Sequence, residues 1–128
     1  MWLDTIAFKE KILSIFHKPP SVDDVYLHEV KLHQDGPHLT LRFNLKDYPE
    51  APPEEWVEKG YNTVQVTLEL WSLNAIEIRG FSTENYVRLQ LTSSDRGIKF
   101  LITGTTNISG SASNGMIQKV SAYCKEAH

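Results

Sequence analysis

The sequence contains a single cysteine, no long apolar run and no basic tract, and each absence excludes a class of protein. Cys124 cannot form an internal disulfide, which agrees with a reducing compartment. No stretch approaches the roughly 20 apolar residues that a membrane-spanning helix needs. The 13 lysines and arginines are scattered and are outnumbered by 16 acids, so neither nucleic acid nor a membrane is expected as a partner.

The first residues do not have the pattern of a secretory signal. Asp4 stands where a signal peptide would carry a base, and Lys9, Glu10 and Lys11 interrupt any apolar region. We therefore expect a cytoplasmic protein. A length of 128 residues with 41% hydrophobic residues is typical of one ordinary domain with one core, so residues 1–128 are interpreted as a single domain.

Sequence motifs of catalysis and metal binding are also missing. The glycine-containing stretch 104–110 has no Gly-Lys-Ser/Thr ending, and no serine lies in a Gly-x-Ser-x-Gly elbow. His28 and His33 would point to opposite faces of one strand, and His38 lies beyond the following turn, which argues against a zinc site. We therefore predict a protein that is not an enzyme, with no catalytic residue, no metal and no cofactor.

What the sequence does contain is a repeated alternation of apolar and polar side chains. It is clearest over 39–46, where every odd position is apolar, as in a strand with one dry and one wet face. Together with 25–34 this stretch predicts a first hairpin, 25–46, with a turn at 34–37. Residues 62–125 are expected to form antiparallel strands: 62–71, 74–81, 86–92, 97–103, and 116–125 as a strand or a short helix. The stretch 104–115, rich in Gly, Ser and Asn, is interpreted as an exposed ribbon or loop.

The N-terminal residues predict a helix over 1–18, because they include no glycine or proline and Pro19-Pro20 then end it. Its apolar side chains would cover one face of the sheet. On the first strand, Tyr26, His28, Val30 and Leu32 are predicted to share the face that points to the core. The expected fold class is therefore α+β, with an N-terminal helix packed on a curved, mainly antiparallel β-sheet of six to eight strands.

The segment 47–61 interrupts the alternation with three prolines and a cluster of acids. Five carboxylates occur without an intervening base, and Tyr48, Trp56 and Tyr61 are interleaved with them. One interpretation is a solvated loop whose Trp56 covers the end of the sheet. The other is a binding surface in which carboxylates attract a basic partner and aromatic rings supply contact area. The candidate binding residues are Asp47, Glu50, Glu54, Glu55, Trp56 and Glu58.

Several motifs in this order resemble the Imm50 type of bacterial immunity protein, from polymorphic toxin systems. They are Asp35-Gly36-Pro37-His38-Leu39-Thr40-Leu41-Arg42-Phe43 in the hairpin, Pro52-Pro53-Glu54-Glu55-Trp56, and the strand Tyr61-Asn62-Thr63-Val64-Gln65-Val66-Thr67-Leu68. The resemblance implies a non-enzymatic cytoplasmic protein that binds and neutralises the C-terminal domain of a cognate toxin. A basic nuclease is one such toxin, and an acidic inhibitor would be attracted to it. The toxin contacts are not carried over from the family.

Three alternatives stay open from the residues alone. Strands closed into an eight-stranded barrel with an apolar cavity would make a small-ligand-binding protein. A generic protein-interaction domain would differ from an immunity protein only in its partner. An enzyme would require His28, Asp23 or Asp24 and a polar strand residue to converge in a pocket. Both a monomer and a homodimer are compatible with the sequence, because an exposed edge strand can pair with a second copy.

Overall fold

The computed structural model describes residues 1–126 and consists mainly of β-strands. A 3-10 helix at Trp2–Thr5 opens the chain. It is followed by β1 (Ile6–Ala7), α1 (Glu10–Phe16), β2 (Val25–His33), β3 (His38–Asn44), α2 (Glu54–Glu58), β4 (Thr63–Arg79), β5 (Tyr86–Ser94), β6 (Gly97–Gly104) and β7 (Asn107–Tyr123). Over this described part of the chain, neither helix is long and apolar enough to cross a membrane.

The seven strands form one sheet in the order β1-β7-β4-β3-β2-β5-β6, and β6 also pairs with β7. The six longer strands therefore form a closed ring. Every pairing is antiparallel except that of β1 with β7. The predicted fold class is confirmed, since the short helix α1 lies near the N-terminus and packs on a curved, mainly antiparallel sheet.

Strands β2 and β3 form the hairpin predicted over 25–46, with one irregularity in β2. The pairing shifts register after Leu27, so that His28 lies in a bulge. Val25 and Leu27 are buried, whereas His28 is exposed and Tyr26 half-buried. The prediction that Tyr26 and His28 face the core is therefore wrong. Beyond the bulge, Val30 packs against the core as predicted. Leu32 is 56% exposed, so the prediction is wrong for it too, because β5 covers only the beginning of β2.

Strand β4 is one bent strand, and the prediction of two strands at 62–71 and 74–81 is wrong. Ser72 adopts a left-handed backbone (φ 56°), and the register with β7 shifts between Leu73 and Ala75. The polar residues there are typical of a turn, but β7 is long enough to pair with both halves of β4. The strand therefore bends without turning back, and its end runs past the β2–β3 hairpin.

The last strand, β7, begins at Asn107, so the interpretation of 104–115 as an exposed ribbon or loop is wrong. Its small residues allow close packing between strands. A Cβ on Gly110 would lie 2.1 Å from the Ala75 carbonyl oxygen and 2.7 Å from the Phe100 ring. Ile108 is fully buried two positions earlier. Glycine within a strand often lies where another backbone approaches closely. Gly110 is such a position, so this composition indicates closely packed strands and not a loop.

The N-terminal region does not form the continuous helix predicted over 1–18. Phe8 has a positive φ of 60°, which separates the 3-10 helix and β1 from α1. Ile6 and Ala7 pair in parallel with β7. The Trp2 indole N–H donates to the Pro20 carbonyl at 2.9 Å, and both Trp2 and Ile6 are buried. Pairing with the sheet satisfies backbone groups of this segment and buries its apolar residues at the same time.

The interior of the ring is filled by the alternating apolar residues that the sequence pattern identifies. On β3 and β4 the fully buried side chains are Leu39, Leu41, Phe43, Val64, Val66, Leu68 and Leu70. They belong to one hydrophobic cluster with Phe100 and Ile102 of β6. This packed ring of six strands differs from the eight-stranded ligand carrier considered above, whose function would depend on an apolar cavity.

Candidate functional site

The acidic segment 47–61 connects β3 to β4 and contains the short helix α2. Pro53 directly precedes this helix, and its fixed φ suits that position. Glu54 and Glu55 occupy the first turn, where negative charge is favourable next to the unpaired N–H groups. The Tyr61 N–H then donates to the Trp56 carbonyl at 3.0 Å, which turns the chain back towards β4. The acids are therefore presented on an ordered part of the fold.

Two of the predicted binding residues attach the segment to the domain. Trp56 is half-buried and packs against the core with Tyr48, their ring centroids 6.4 Å apart. An Asp47 carboxylate oxygen accepts a hydrogen bond from the Ser21 N–H at 3.0 Å. Asp47 and Trp56 thus position the segment.

Glu55 has an ionic partner within the segment. Its carboxylate lies 2.9 Å from the Lys59 ammonium, one helical turn later, and both side chains are exposed. The hydrogen bond and the opposite charge hold the pKa of Glu55 below its usual value and raise the pKa of Lys59. The charge of Glu55 is therefore partly neutralised in place.

Two of the remaining carboxylates flank an exposed apolar side chain. Glu54, Val57 and Glu58 have the i, i+3, i+4 spacing that places them on one face of α2. Val57 is 61% exposed. Within residues 1–126 no basic group pairs with Glu50, Glu54 or Glu58. Like charges at i, i+4 destabilise a helix by a few tenths of a kcal/mol, and a cationic partner would remove that repulsion.

A second group of polar side chains lies on β2, β3, β4 and β7. Arg42 Nη1 donates to Gln65 Oε1 at 3.2 Å, and Gln65 Nε2 donates to Asn44 Oδ1 at 3.1 Å. Asn44 Nδ2 donates to the Tyr123 hydroxyl at 2.6 Å. Arg42 Nε also lies 3.6 Å from Glu29 Oε1. Because these groups satisfy one another, they form a cross-strand network that holds four strands together.

His28 lies at the edge of this network, with Nε2 3.4 Å from the Tyr123 hydroxyl. Partial burial lowers the pKa of His28, and the nearby positive charges of Arg42 and Lys125 lower it further. These effects favour the neutral imidazole, which can both donate and accept a hydrogen bond.

His28, Asp23 and Asp24 are bound to different partners and do not form one reaction centre. Asp23 lies 3.3 Å from Arg88, and Asp24 lies 3.8 Å from Lys46, while His28 contacts the network described above. No three His, Cys, Asp or Glu side chains in the described chain are grouped so that they could hold a metal ion. The acidic segment, by contrast, groups three carboxylates, those of Glu50, Glu54 and Glu58, with which no basic group of the described residues pairs.

Comparison with known protein families agrees with the resemblance seen in the motifs. A family model described as Immunity protein 50 matches residues 9–123. The chain belongs to the Immunity protein 50 family. No curated protein and no solved structure matches the chain. Membership of an immunity protein family implies a toxin protein as the partner.

The Immunity protein 50 match includes the whole acidic segment and ends where β7 ends. It leaves out the 3-10 helix and β1, which precede residue 9. The family therefore extends over the ring of six strands and over the candidate site, and the sequence-based identification of the family is confirmed.

The polar network of this Immunity protein 50 member is the part of the surface that the sequence analysis missed. The alternation identified Thr40, Arg42 and Asn44 as the polar side of β3. It did not predict which side chains of other strands they would contact, because cross-strand partners depend on register. The one local signal was the run of polar residues at every second position of β3 and β4.

The hydroxyl of Tyr48 provides a test of how the acidic segment is attached. It is buried and makes no hydrogen bond to a protein group. Tyr48→Phe is therefore expected to raise the free energy of unfolding by about 1 kcal/mol, because an unsatisfied polar group is removed. Tyr123→Phe is the matched control and should lower it by about 1 kcal/mol, since Tyr123 loses its bond to Asn44. Urea unfolding measures both; a loss of stability in Tyr48→Phe would contradict the expectation.

Proposed function

We propose that this protein binds and neutralises a cognate bacterial toxin domain in the cytoplasm through the acidic segment, without catalysing a reaction. The observation that supports the proposal is the face of α2, on which the carboxylates of Glu54 and Glu58, without ionic partners in the described chain, flank the exposed Val57. The family match adds the kind of partner, a toxin protein. The proposed toxin-binding residues are Asp47, Glu50, Glu54, Glu55, Trp56 and Glu58.

These residues would act in different ways. Glu50, Glu54 and Glu58 would attract the toxin and pair with its basic side chains, because no basic group of the described chain already neutralises them. Val57 would supply desolvated contact area between the charges. The anchors Asp47 and Trp56 would hold this arrangement in place before binding, which reduces the entropy lost on association.

The charge of the segment favours a basic toxin domain, and a nuclease is the kind of toxin that it fits best. A nuclease carries lysines and arginines that neutralise phosphates. Carboxylates presented on an ordered loop can occupy that basic surface and keep nucleic acid out. Opposite charges also accelerate the encounter, which matters for an inhibitor that must act before the toxin does.

We expect a toxin with a variable C-terminal domain to be encoded next to this protein, and that C-terminal domain is the partner for the test. Co-expression is expected to restore growth that the toxin domain alone arrests, and the two purified proteins should elute together as a stoichiometric complex. In the complex, hydrogen exchange should slow over residues 47–61. A failure to bind and to protect would contradict the proposed function. Binding with protection confined to another surface would keep the function but reject the interface.

A further inference from the structure

The second half of β4 has one strand edge without a neighbour. The hairpin strand β3 pairs with β4 only as far as Trp71, and Leu73 N–H still donates to Pro37. From 74 to 79 the only strand of the described chain that pairs with β4 is β7. The other edge therefore presents unpaired backbone N–H and C=O groups, which is the surface on which a further strand can add.

Apolar side chains of this half-strand are also left uncovered. Ile78 lies opposite Ile108 of β7, and Ile108 is fully buried, so both point to the inner side of the sheet. Ile78 is nevertheless 43% exposed and Ile76 is half-buried, because the hairpin ends before it reaches them. Phe81, just beyond the strand, is 60% exposed. The unpaired edge is thus accompanied by apolar surface.

We propose that two copies of this chain pair through this edge as antiparallel neighbours, with Ile78 opposite Ile78 of the second copy. This register places Glu77 of each copy opposite the partner's Arg79. Within one copy Glu77 already contacts Arg79, two positions along the same strand. The four side chains of the pair therefore form a ring in which positive and negative charges alternate, and each ion pair is made twice by the two-fold symmetry.

Neighbouring registers lack this complementarity. Centring the pair on Glu77 would place two carboxylates directly opposite each other, which is destabilising. Centring it on Ile76 would place Glu77 opposite Ala75 and Arg79 opposite Leu73, and no cross-strand ion pair would form. The register centred on Ile78 also brings Ile76 of one copy diagonally next to Ile78 of the other. Both the cross-strand ion pairs and the apolar contacts therefore favour the register centred on Ile78.

The occupant is a second copy because the edge is complementary to itself. An extended segment of the toxin could also pair with free backbone groups, since strand addition depends little on side chains. A toxin segment would, however, need an acid and a base two positions apart to pair with Arg79 and Glu77. A second copy of this chain has both at that spacing. In this register only residues 77–79 of each copy lie opposite strand residues of the other, because β4 ends at Arg79 and Gly80 has a positive φ of 73°. The interface is therefore small, and assembly is expected at high protein concentration.

Two opposite charge reversals test the proposal by complementation. Glu77→Lys makes all four side chains of the pair positive, and Arg79→Glu makes them all negative. Each variant alone is expected to weaken self-association about tenfold or more, because attractive cross-strand pairs become repulsive. Mixed together, the two variants should associate, since each positive side chain of the first variant then lies opposite a glutamate of the second. Sedimentation velocity measures mass against the 14.6 kDa of one chain.

The matched control is Glu10→Lys, a charge reversal of the same kind at an exposed glutamate outside β4. It should leave self-association unchanged. Glu77 and Arg79 are both highly exposed, so their variants are expected to fold as the parent does. A parent chain that stays monomeric at high concentration, or a dimer that Glu10→Lys dissociates while Glu77→Lys does not, would overturn the proposal. Slowed hydrogen exchange over 74–79 only when the toxin is present would overturn it too.

Discussion

Replacing Glu50, Glu54 and Glu58 together by lysine is expected to slow association with the toxin domain by about ten- to a thousand-fold at low ionic strength. These carboxylates are exposed and have no ionic partner in the described chain, so their field acts outwards on an approaching protein. Reversal converts attraction of a basic toxin into repulsion. Glu55 is left unchanged because Lys59 already neutralises part of its charge.

Stopped-flow mixing at a series of salt concentrations measures the effect. The parent should associate more slowly as salt rises, and the triple variant should lose or invert this dependence, because salt screens both attraction and repulsion. A second triple variant, Glu10→Lys, Glu84→Lys and Asp95→Lys, changes the net charge equally at acids outside the segment. If both triple variants associate equally slowly with the toxin domain, the net charge of the protein decides the rate and the acidic segment has no special role.

Gly110→Ala is expected to lower the free energy of unfolding by about 1–3 kcal/mol, a large part of the stability of a small domain. The added methyl group would lie 2.1 Å from the Ala75 carbonyl oxygen, which belongs to the backbone of β4 and cannot rotate away. The two strands must move apart, or the Phe100 ring must leave its place in the core. Either change loses contacts in a closely packed interior.

Ser109→Ala is the control for this prediction. The neighbouring residue lies on the same strand and should change the stability by no more than about 0.5 kcal/mol. Urea unfolding of both variants gives the comparison, and an unchanged denaturant slope shows that the same structure unfolds. Equal stabilities of the two variants would contradict the close approach of β7 and β4.

The hairpin and the interior were predictable because their information is local. A strict alternation such as that of 39–46 defines both a strand and its buried face, and the buried apolar residues of β3 are the odd ones as expected. The bend at Ser72 and the strand at 107–115 were not predictable in this way. Their small and polar residues are typical of turns. They form a bend in β4 and a closely packed stretch of β7 instead, because these two long strands pair with each other along their whole length.

The candidate site was predictable as a cluster of charge but not as a set of contacts. The pairing of Glu55 with Lys59 follows from their i, i+4 spacing once a helix is assumed. The hydrogen bond from the Ser21 N–H to Asp47 joins residues that are far apart in sequence, and no local sequence pattern predicts it. Which carboxylates have no ionic partner within the described residues therefore becomes visible only when the fold is known.

The position of β7 determines when the fold of this protein can be completed. This strand is the neighbour of β1, β4 and β6 at once, and its pairing with Ile6 joins residues separated by most of the chain. Such distant contacts form slowly, because a long loop must close before they stabilise anything. On the ribosome, β4 has no partner for one edge until residues 107–123 have been synthesised. For the proposed immunity function, only chains translated through this strand would therefore present the acidic segment on a complete sheet.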